Sequence, residues 1–197
     1  MNYTLYSISK NNIDVVLNDH LAMALVIEPD DKSMYLDALE GKGAKKSALE
    51  KVLSIFSRRH IPSVDNDQEK RFSYQLEWEY LPMQYCFEKE SKEKNTPFDF
   101  IVSGGQRIGY EIGWDKVRVF APSEVSSLIR EVSEVDSEFI EKNFDAEDML
   151  SRDLFSRKWK MEYAEDTKLD LKRGIKDLGN FLERCKVKGC GFYVVLS

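Results

Sequence analysis

The spacing of apolar residues predicts a strand and then several helices in the first third of the chain. Residues 2–8 combine β-branched and aromatic side chains as a strand does, and Ser9 can cap a helix with apolar residues on one face at 13–17. Residues 34–39 predict a short helix ended by glycines. Apolar residues at helical spacing predict an amphipathic helix over 45–59, with a proline just beyond its end.

The next stretch fits two periods. Residues 68–85 place apolar side chains on a helical face, although 75–80 also alternates as a strand does, and we favour a helix. The charge run at 89–95 has no aliphatic residue and predicts a solvent-exposed loop. Residues 98–102 then predict a strand.

The most informative pattern is a glycine-punctuated segment, residues 104–125, with the sequence GGQRIGYEIGWDKVRVFAPSEV. Two alternating runs at 107–112 and 116–120 predict the strands of a hairpin that turns at 113–115. Pro122 suits the first position of a helix, and the residues after it repeat at helical spacing. The segment therefore predicts a β-ribbon that leads directly into a helix.

The last third is predicted to be helical before a final strand. Asp136 or Ser137, and then Asp145, can cap short helices, and a long helix is predicted to end at Gly189. Its apolar stripe consists of Leu171, Ile175, Leu178, Leu182 and Cys185. Phe192–Leu196 predicts a buried strand that docks into a sheet. The predicted fold is α+β, with a short mixed or antiparallel sheet packed with several amphipathic helices.

The composition agrees with one domain over residues 1–197. Hydrophobic residues make up 42% of the chain and charged residues 32%, which is typical of a soluble globular protein. The net charge of −6 would repel a phosphate backbone, so we do not expect a nucleic-acid partner. No apolar run is long enough to span a membrane, no secretory signal is visible, and the three cysteines match no disulfide framework. We therefore expect a cytoplasmic protein.

Several segments resemble, in the same order, those of the YfbM-like family, bacterial proteins of unknown function. Residues 104–129 resemble the family's glycine-rich strand pair and proline-started helix. The sequence NFDAEDM at 143–149 is similar to its phenylalanine-aspartate helix cap, and GFYVVLS at 191–197 to its closing strand. The opening YTLYSIS at 3–9 resembles its first strand. The resemblance implies a single α+β domain and brings no reaction, cofactor or catalytic residues with it.

The resemblance weakens in the middle of the chain. Where the family commonly carries a lysine and then a tryptophan followed by a histidine, Lys70 and Phe72 stand nearest, and no histidine follows. Residues 60–98 are therefore a candidate for a divergent insertion within the domain.

The residue types that carry most enzyme chemistry are not arranged in a recognisable pattern. The GGQRIG sequence at 104–109 lacks the ending of a phosphate-binding loop, and His20 and His60 stand alone, so we predict no metal and no cofactor. Lys186 and Lys188 could lower the pKa of a thiol at Cys185 or Cys190, but core packing accounts better for both cysteines.

Two clusters remain as candidate sites. Glu77 and Glu79 flank Trp78 and could provide paired carboxylates for acid-base chemistry, although a solvated helix face explains them equally well. Trp114 lies between Gly113 and Asp115 at the predicted hairpin turn. Trp114 either anchors a partner or packs over the core, and the same two interpretations apply to Trp159. If Trp114 binds a partner, its predicted neighbours are Arg107, Tyr110, Glu111, Asp115 and Arg118.

These observations lead to three functional hypotheses. The first is a non-catalytic module that binds another protein, for instance a basic one that it neutralises as immunity proteins do, since opposite charge speeds association. The second is an enzyme for a small molecule, with carboxylates near Glu77 and Glu111 as acid and base. The third is a structural homodimer rather than a monomer. Of these we favour the protein-binding module.

Overall fold

The computed structural model describes residues 2–40, 61–76, 80–94, 100, 104–113, 115–152 and 163–197. Within these ranges the helices and strands alternate along one chain, and the sheet is entirely antiparallel. The α+β prediction is confirmed. The predicted helix over 45–59 lies outside the described residues.

Five strands form the sheet that the described residues build. They are β1 (Tyr3–Ile8), β2 (Ser73–Leu76), β3 (Gln106–Ile112), β4 (Asp115–Phe120) and β5 (Gly191–Leu196). Their order across the sheet is β2-β1-β5-β4-β3, so the last strand along the chain lies at the centre. The predicted terminal strand at 192–196 is thus confirmed, and it pairs with β1 on one side and β4 on the other.

Helices cover both faces of this sheet. Those before β2 are α1 (Lys10–Asn18), α2 (Met23–Ile27) and α3 (Ser33–Glu40). Those after it are α4 (Tyr80–Lys94), α5 (Pro122–Ser133), α6 (Ser137–Asn143), α7 (Ala146–Ser151) and α8 (Ala164–Lys188). Along β5, Tyr193 and Val195 join the core under α1 to α3, whereas Phe192 and Val194 join the core under α4 to α8.

Most helix ends follow from local sequence. Ser9, Asp136 and Asp145 accept backbone N–H bonds as N-caps of α1, α6 and α7, as predicted. Pro122 begins α5, and Gly189 ends α8 in the left-handed conformation at φ 61°. These caps fix where each helix begins or ends relative to the sheet.

Two predictions between residues 68 and 95 are wrong. The helix predicted over 68–85 is instead the edge strand β2 followed by the start of α4, because Tyr74 and its neighbours pair with β1. The loop predicted over 89–95 continues α4 to Lys94, because Glu90 is buried against α6. The predicted strand at 98–102 is also wrong at its one described residue, since Gly104 N donates to Phe100 O in a turn.

Candidate functional site

The predicted hairpin exists and lies at one edge of the sheet. Arg107 Nη2 lies 3.7 Å from Asp115 Oδ2, and the two side chains are 59% and 37% exposed. Glu111 is exposed opposite Lys116 in the strand register, and Tyr110 lies half-buried on the other face, where burial raises its pKa. The hairpin therefore presents a mixed-charge, solvent-facing surface.

Arg118 belongs to the interior and not to that surface. Its side chain is 2% exposed, and Nη1 donates to Phe100 O and to Gly104 O at 2.9 Å each. Its guanidinium also lies 5.9 Å from the centre of the Tyr3 ring. Arg118 thus holds the turn before β3 against the sheet, which corrects the prediction that it lines a binding surface.

Several predicted site residues lie outside the described part of the chain. These are Trp114, Trp78, Glu77 and Glu79, together with Trp159 and His60. Both alternatives for Trp114, that it anchors a partner or that it packs over the core, therefore stay predictions.

His20 has a structural contact that its sequence position does not reveal. It lies in a short turn after α1, and Gly109 N on the edge strand β3 donates to its Nδ1 at 3.0 Å. A side chain at Gly109 would meet His20 Nδ1 at 3.1 Å, so the glycine permits this approach. His20 therefore satisfies a backbone donor of a strand that, within the described residues, lies at the edge of the sheet.

A recess in the described part of the structure is a groove of about 390 Å³ between α5, α6 and α8. Its lining is mainly apolar and is supplied by one wall from each helix. We call it the α5–α6–α8 groove, and its residues are Ile129, Val132, Ser133, Val135, Asp136, Ser137, Ile140, Lys172, Ile175, Lys176, Gly179 and Glu183.

The groove is open at its centre because residue 179 has no side chain. Gly179 lies in the middle of α8, and a Cβ there would come no closer than 3.8 Å to Val132 Cγ1. Glycine inside a helix costs about 1 kcal/mol relative to alanine. Since alanine would fit without a clash, packing against α5 does not require this glycine.

We therefore expect Gly179→Ala to raise the free energy of unfolding by about 0.5–1 kcal/mol, because it removes the entropic cost of glycine without a clash. Urea unfolding followed by circular dichroism would measure the change. A loss of stability would show that the glycine is needed for packing, and Gly174→Ala gives the comparison. There a Cβ would lie 3.2 Å from Met83 Cε and 3.5 Å from Tyr74 Oη.

Charged side chains flank the apolar lining. At one end Lys172 Nζ bonds Glu141 Oε1 at 3.1 Å, and Lys168 Nζ bonds Glu141 Oε2 at 2.7 Å. The hydrogen bond from Lys168 and then that from Lys172 lower the pKa of Glu141. Lys176 is exposed beside the groove and makes no ion pair within the described part of the chain. Asp136 and Glu183 also line the groove, which thus combines an apolar floor with a rim of mixed charge.

Sequence reasoning missed this groove as a site. It placed Ile175 on the apolar stripe of the long helix, which is correct, but did not anticipate that α5, α6 and α8 leave a recess between them. The available signal was a glycine inside a long, otherwise regular helix, since such a glycine needs a packing or functional reason.

Neither a metal-binding cluster nor a membrane-spanning helix is found among the described residues. Among them, no three histidine, cysteine, aspartate or glutamate side chains cluster closely enough to hold a metal ion. No helix within the described ranges has the length and apolar character needed to cross a membrane.

The structure defines a class of α+β protein in which one antiparallel sheet is covered by helices on both faces and the outer helices form an apolar groove. The family model of DUF1877, a domain of unknown function, matches residues 1–195, so the chain belongs to that family. Its fold is similar to that of YfbM from Escherichia coli, a protein of unknown function, which confirms the resemblance predicted from sequence. The two chains match over 100% of each with a TM-score of 0.60 and 13% identity. None of the curated proteins matches the chain.

Proposed function

We propose that this protein is a non-catalytic module that binds another protein, and that the α5–α6–α8 groove receives the partner. The groove itself carries the proposal, because it keeps apolar side chains in contact with solvent at the cost of a glycine inside α8. An exposed apolar recess of this kind is typical of interaction sites.

The shape of the groove favours a helical partner segment. Its α8 wall runs from Lys172 to Glu183, which is about 16 Å at a rise of about 1.5 Å per residue. That length matches about three helical turns of a partner that lays an apolar face into the groove. Ile129 on α5 and Val135 in the turn between α5 and α6 are half-buried and in position to contact such anchors.

The charge of the chain favours a basic partner. A net charge of −6 attracts a cationic protein over long range and speeds its encounter, while the apolar groove provides the contact that slows dissociation. A basic toxin or nuclease that is neutralised by binding would suit this combination. The association rate should then fall as salt concentration rises.

The hairpin edge is a second candidate surface for the same function. Arg107, Glu111 and Asp115 are solvent-facing there, and Tyr110 is half-buried beside them. Its predicted anchor is Trp114, so a Trp114→Ala variant separates this surface from the groove.

The test of the groove is the variant Gly179→Leu, which places a leucine in the position that a partner side chain would occupy. We expect at least about tenfold weaker binding, because excluding one apolar anchor removes about 1.5–3 kcal/mol. The tagged protein would first capture its partner from cells that express both, and calorimetry with the purified partner would then measure affinity.

Asp177→Leu is the matched control, because it adds the same side chain to the same helix at an exposed position outside the groove. Equal affinity of both variants would contradict the groove, and a loss confined to Trp114→Ala would move the site to the hairpin. A dimer that dissociates in Gly179→Leu, seen by light scattering, would instead identify the homodimer. Without a captured protein, a metabolite that raises Tm would support the small-molecule enzyme.

A further inference from the structure

The end of α8 brings two cysteines together through the backbone. Gly189 reverses the chain in the left-handed conformation, and its N donates to Lys186 O at 3.0 Å. Cys190 N donates to Cys185 O, also at 3.0 Å. This hydrogen-bond pattern folds the residue after the helix back over its last turn, so the two cysteines become neighbours.

The Cys190 thiol also contacts Cys185. Its Sγ donates to Cys185 O at 3.5 Å, and the two side chains are within hydrogen-bonding reach. Cys185 is fully buried, whereas 8% of Cys190 reaches solvent. Cys190 is therefore the less buried cysteine of the pair.

The surroundings give the two thiols different acidities. The hydrogen bond from Cys185 lowers the pKa of Cys190, and the charge of Lys188 acts in the same direction. The same hydrogen bond and burial raise the pKa of Cys185. The carbonyl groups at the end of α8 disfavour an anion, and Lys188 opposes that effect. The less buried cysteine, Cys190, is thus also the more readily ionised one.

We propose that Cys190 and Cys185 are a dithiol modification site that a peroxide oxidises to an intramolecular disulfide. The Cys190 thiolate attacks the peroxide, the O–O bond breaks, and hydrogen peroxide leaves hydroxide while Cys190 becomes a sulfenic acid. The sulfur of Cys185 then attacks the Cys190 sulfur, forming the S–S bond and releasing water. Two thiols and one hydrogen peroxide yield one disulfide and two waters.

The position of the pair supports a bond without rearrangement of the fold. Disulfides need α-carbons about 4.4–6.8 Å apart, and the backbone hydrogen bond between Cys190 and Cys185 holds them at a close approach. The bond would join the end of α8 to the start of β5, the central strand. This inference depends on the thiols alone and is independent of the proposed binding function.

The basic residues between the two cysteines allow tryptic digestion and mass spectrometry to detect the disulfide directly. Trypsin cleaves after Arg184, Lys186 and Lys188, so it separates the two cysteines into different peptides. After treatment of the folded protein with hydrogen peroxide and digestion without reductant, we expect these peptides to be joined, with a mass lower by two hydrogens than their sum. Dithiothreitol should separate them again.

Cys86 is an internal control in the same chain. It is fully buried in α4, and burial raises its pKa to about 12. We expect Cys190 to be modified at least about tenfold faster than Cys86, the factor that corresponds to one pKa unit. Oxidation of Cys86 at the same rate, or a crosslink only between two molecules, would overturn the proposal.

Single variants test the order of the steps. Cys185→Ser should stop the reaction at the sulfenic acid of Cys190, which dimedone traps, whereas Cys190→Ser should leave Cys185 unmodified at the same peroxide dose. Because both positions are buried, circular dichroism must first show that each variant is folded. If either variant fails to fold, the order of modification is measured in the unsubstituted protein. Modification of Cys185 before Cys190 there would overturn the proposed order.

Discussion

Replacing Gly191 by alanine is expected to lower the free energy of unfolding by about 3 kcal/mol, the upper part of the range for overpacking a core. A Cβ at this position would overlap the carbonyl oxygen of Phe120 on β4 and lie 2.5 Å from Ile13 Cδ1 on α1. Gly191 pairs with Ile8 of β1, so neither neighbouring strand can move without disturbing the centre of the sheet. Urea unfolding measured by far-UV circular dichroism would show the loss.

Gly189→Ala is the matched control for Gly191→Ala. Gly189 has a φ of 61°, and no atom lies within 4 Å of a Cβ built there, so alanine meets only the backbone cost of the left-handed conformation. That cost is about 1–2 kcal/mol. Equal losses in the two variants would mean that the sheet adjusts around an added methyl group and that close approach to Phe120 is not the reason for the glycine.

The parts of the fold that were predictable are those set by neighbours in sequence. Pro122 and Gly189 mark helix ends through their own backbone preferences, and Asp136 caps α6 with its own side chain. The long stripe of α8 is buried at each of its predicted positions, Leu171, Ile175, Leu178, Leu182 and Cys185. Such signals survive in the structure because tertiary packing agrees with them.

The error at residues 89–95 has a specific physical cause. The buried face of α4 follows the helical spacing Met83, Cys86, Phe87 and Glu90, with a carboxylate in the last apolar position. Glu90 is tolerated there because Asn143 Nδ2 donates to its Oε2 at 3.3 Å and Lys142 lies 3.8 Å from the same oxygen. Both partners come from α6, far along the chain, so the local charge pattern indicated solvent instead.

The strand at residues 73–76 was missed for a similar reason. The local pattern of 68–85 fits both a helix and a strand, and distant contacts decide between them: Tyr74 Oη donates to Gly174 O on α8 at 2.7 Å, and Leu76 pairs with Tyr3 of β1. Short edge strands have weak intrinsic preference, and contacts with distant elements decide their state. The groove was hidden in the same way, since its walls come from α5, α6 and α8 and meet only after folding.

Arg118→Met is expected to lower the free energy of unfolding by about 2–3 kcal/mol, because it removes the buried donor of one buried and one part-buried hydrogen bond to backbone carbonyls. Methionine keeps the length of the aliphatic part but cannot donate to Phe100 O or Gly104 O. Phe100 O retains its bond from Gly104 N at 3.1 Å, so the main loss falls on the Gly104 carbonyl. Urea unfolding is again the measurement, and Arg118→Lys should recover part of the loss.

Arg107→Met is a demanding control, because Arg107 is the residue directly opposite Arg118 in the strand register. Its side chain is 59% exposed and its pairing with Asp115 spans 3.7 Å, so removing it should change stability by less than about 0.5 kcal/mol. A similar loss in both variants would show that charge on the hairpin, and not the carbonyl contacts, stabilises this edge. A loss confined to Arg118→Met would show that the arginine is structural, leaving the hairpin surface to Arg107 and its exposed neighbours.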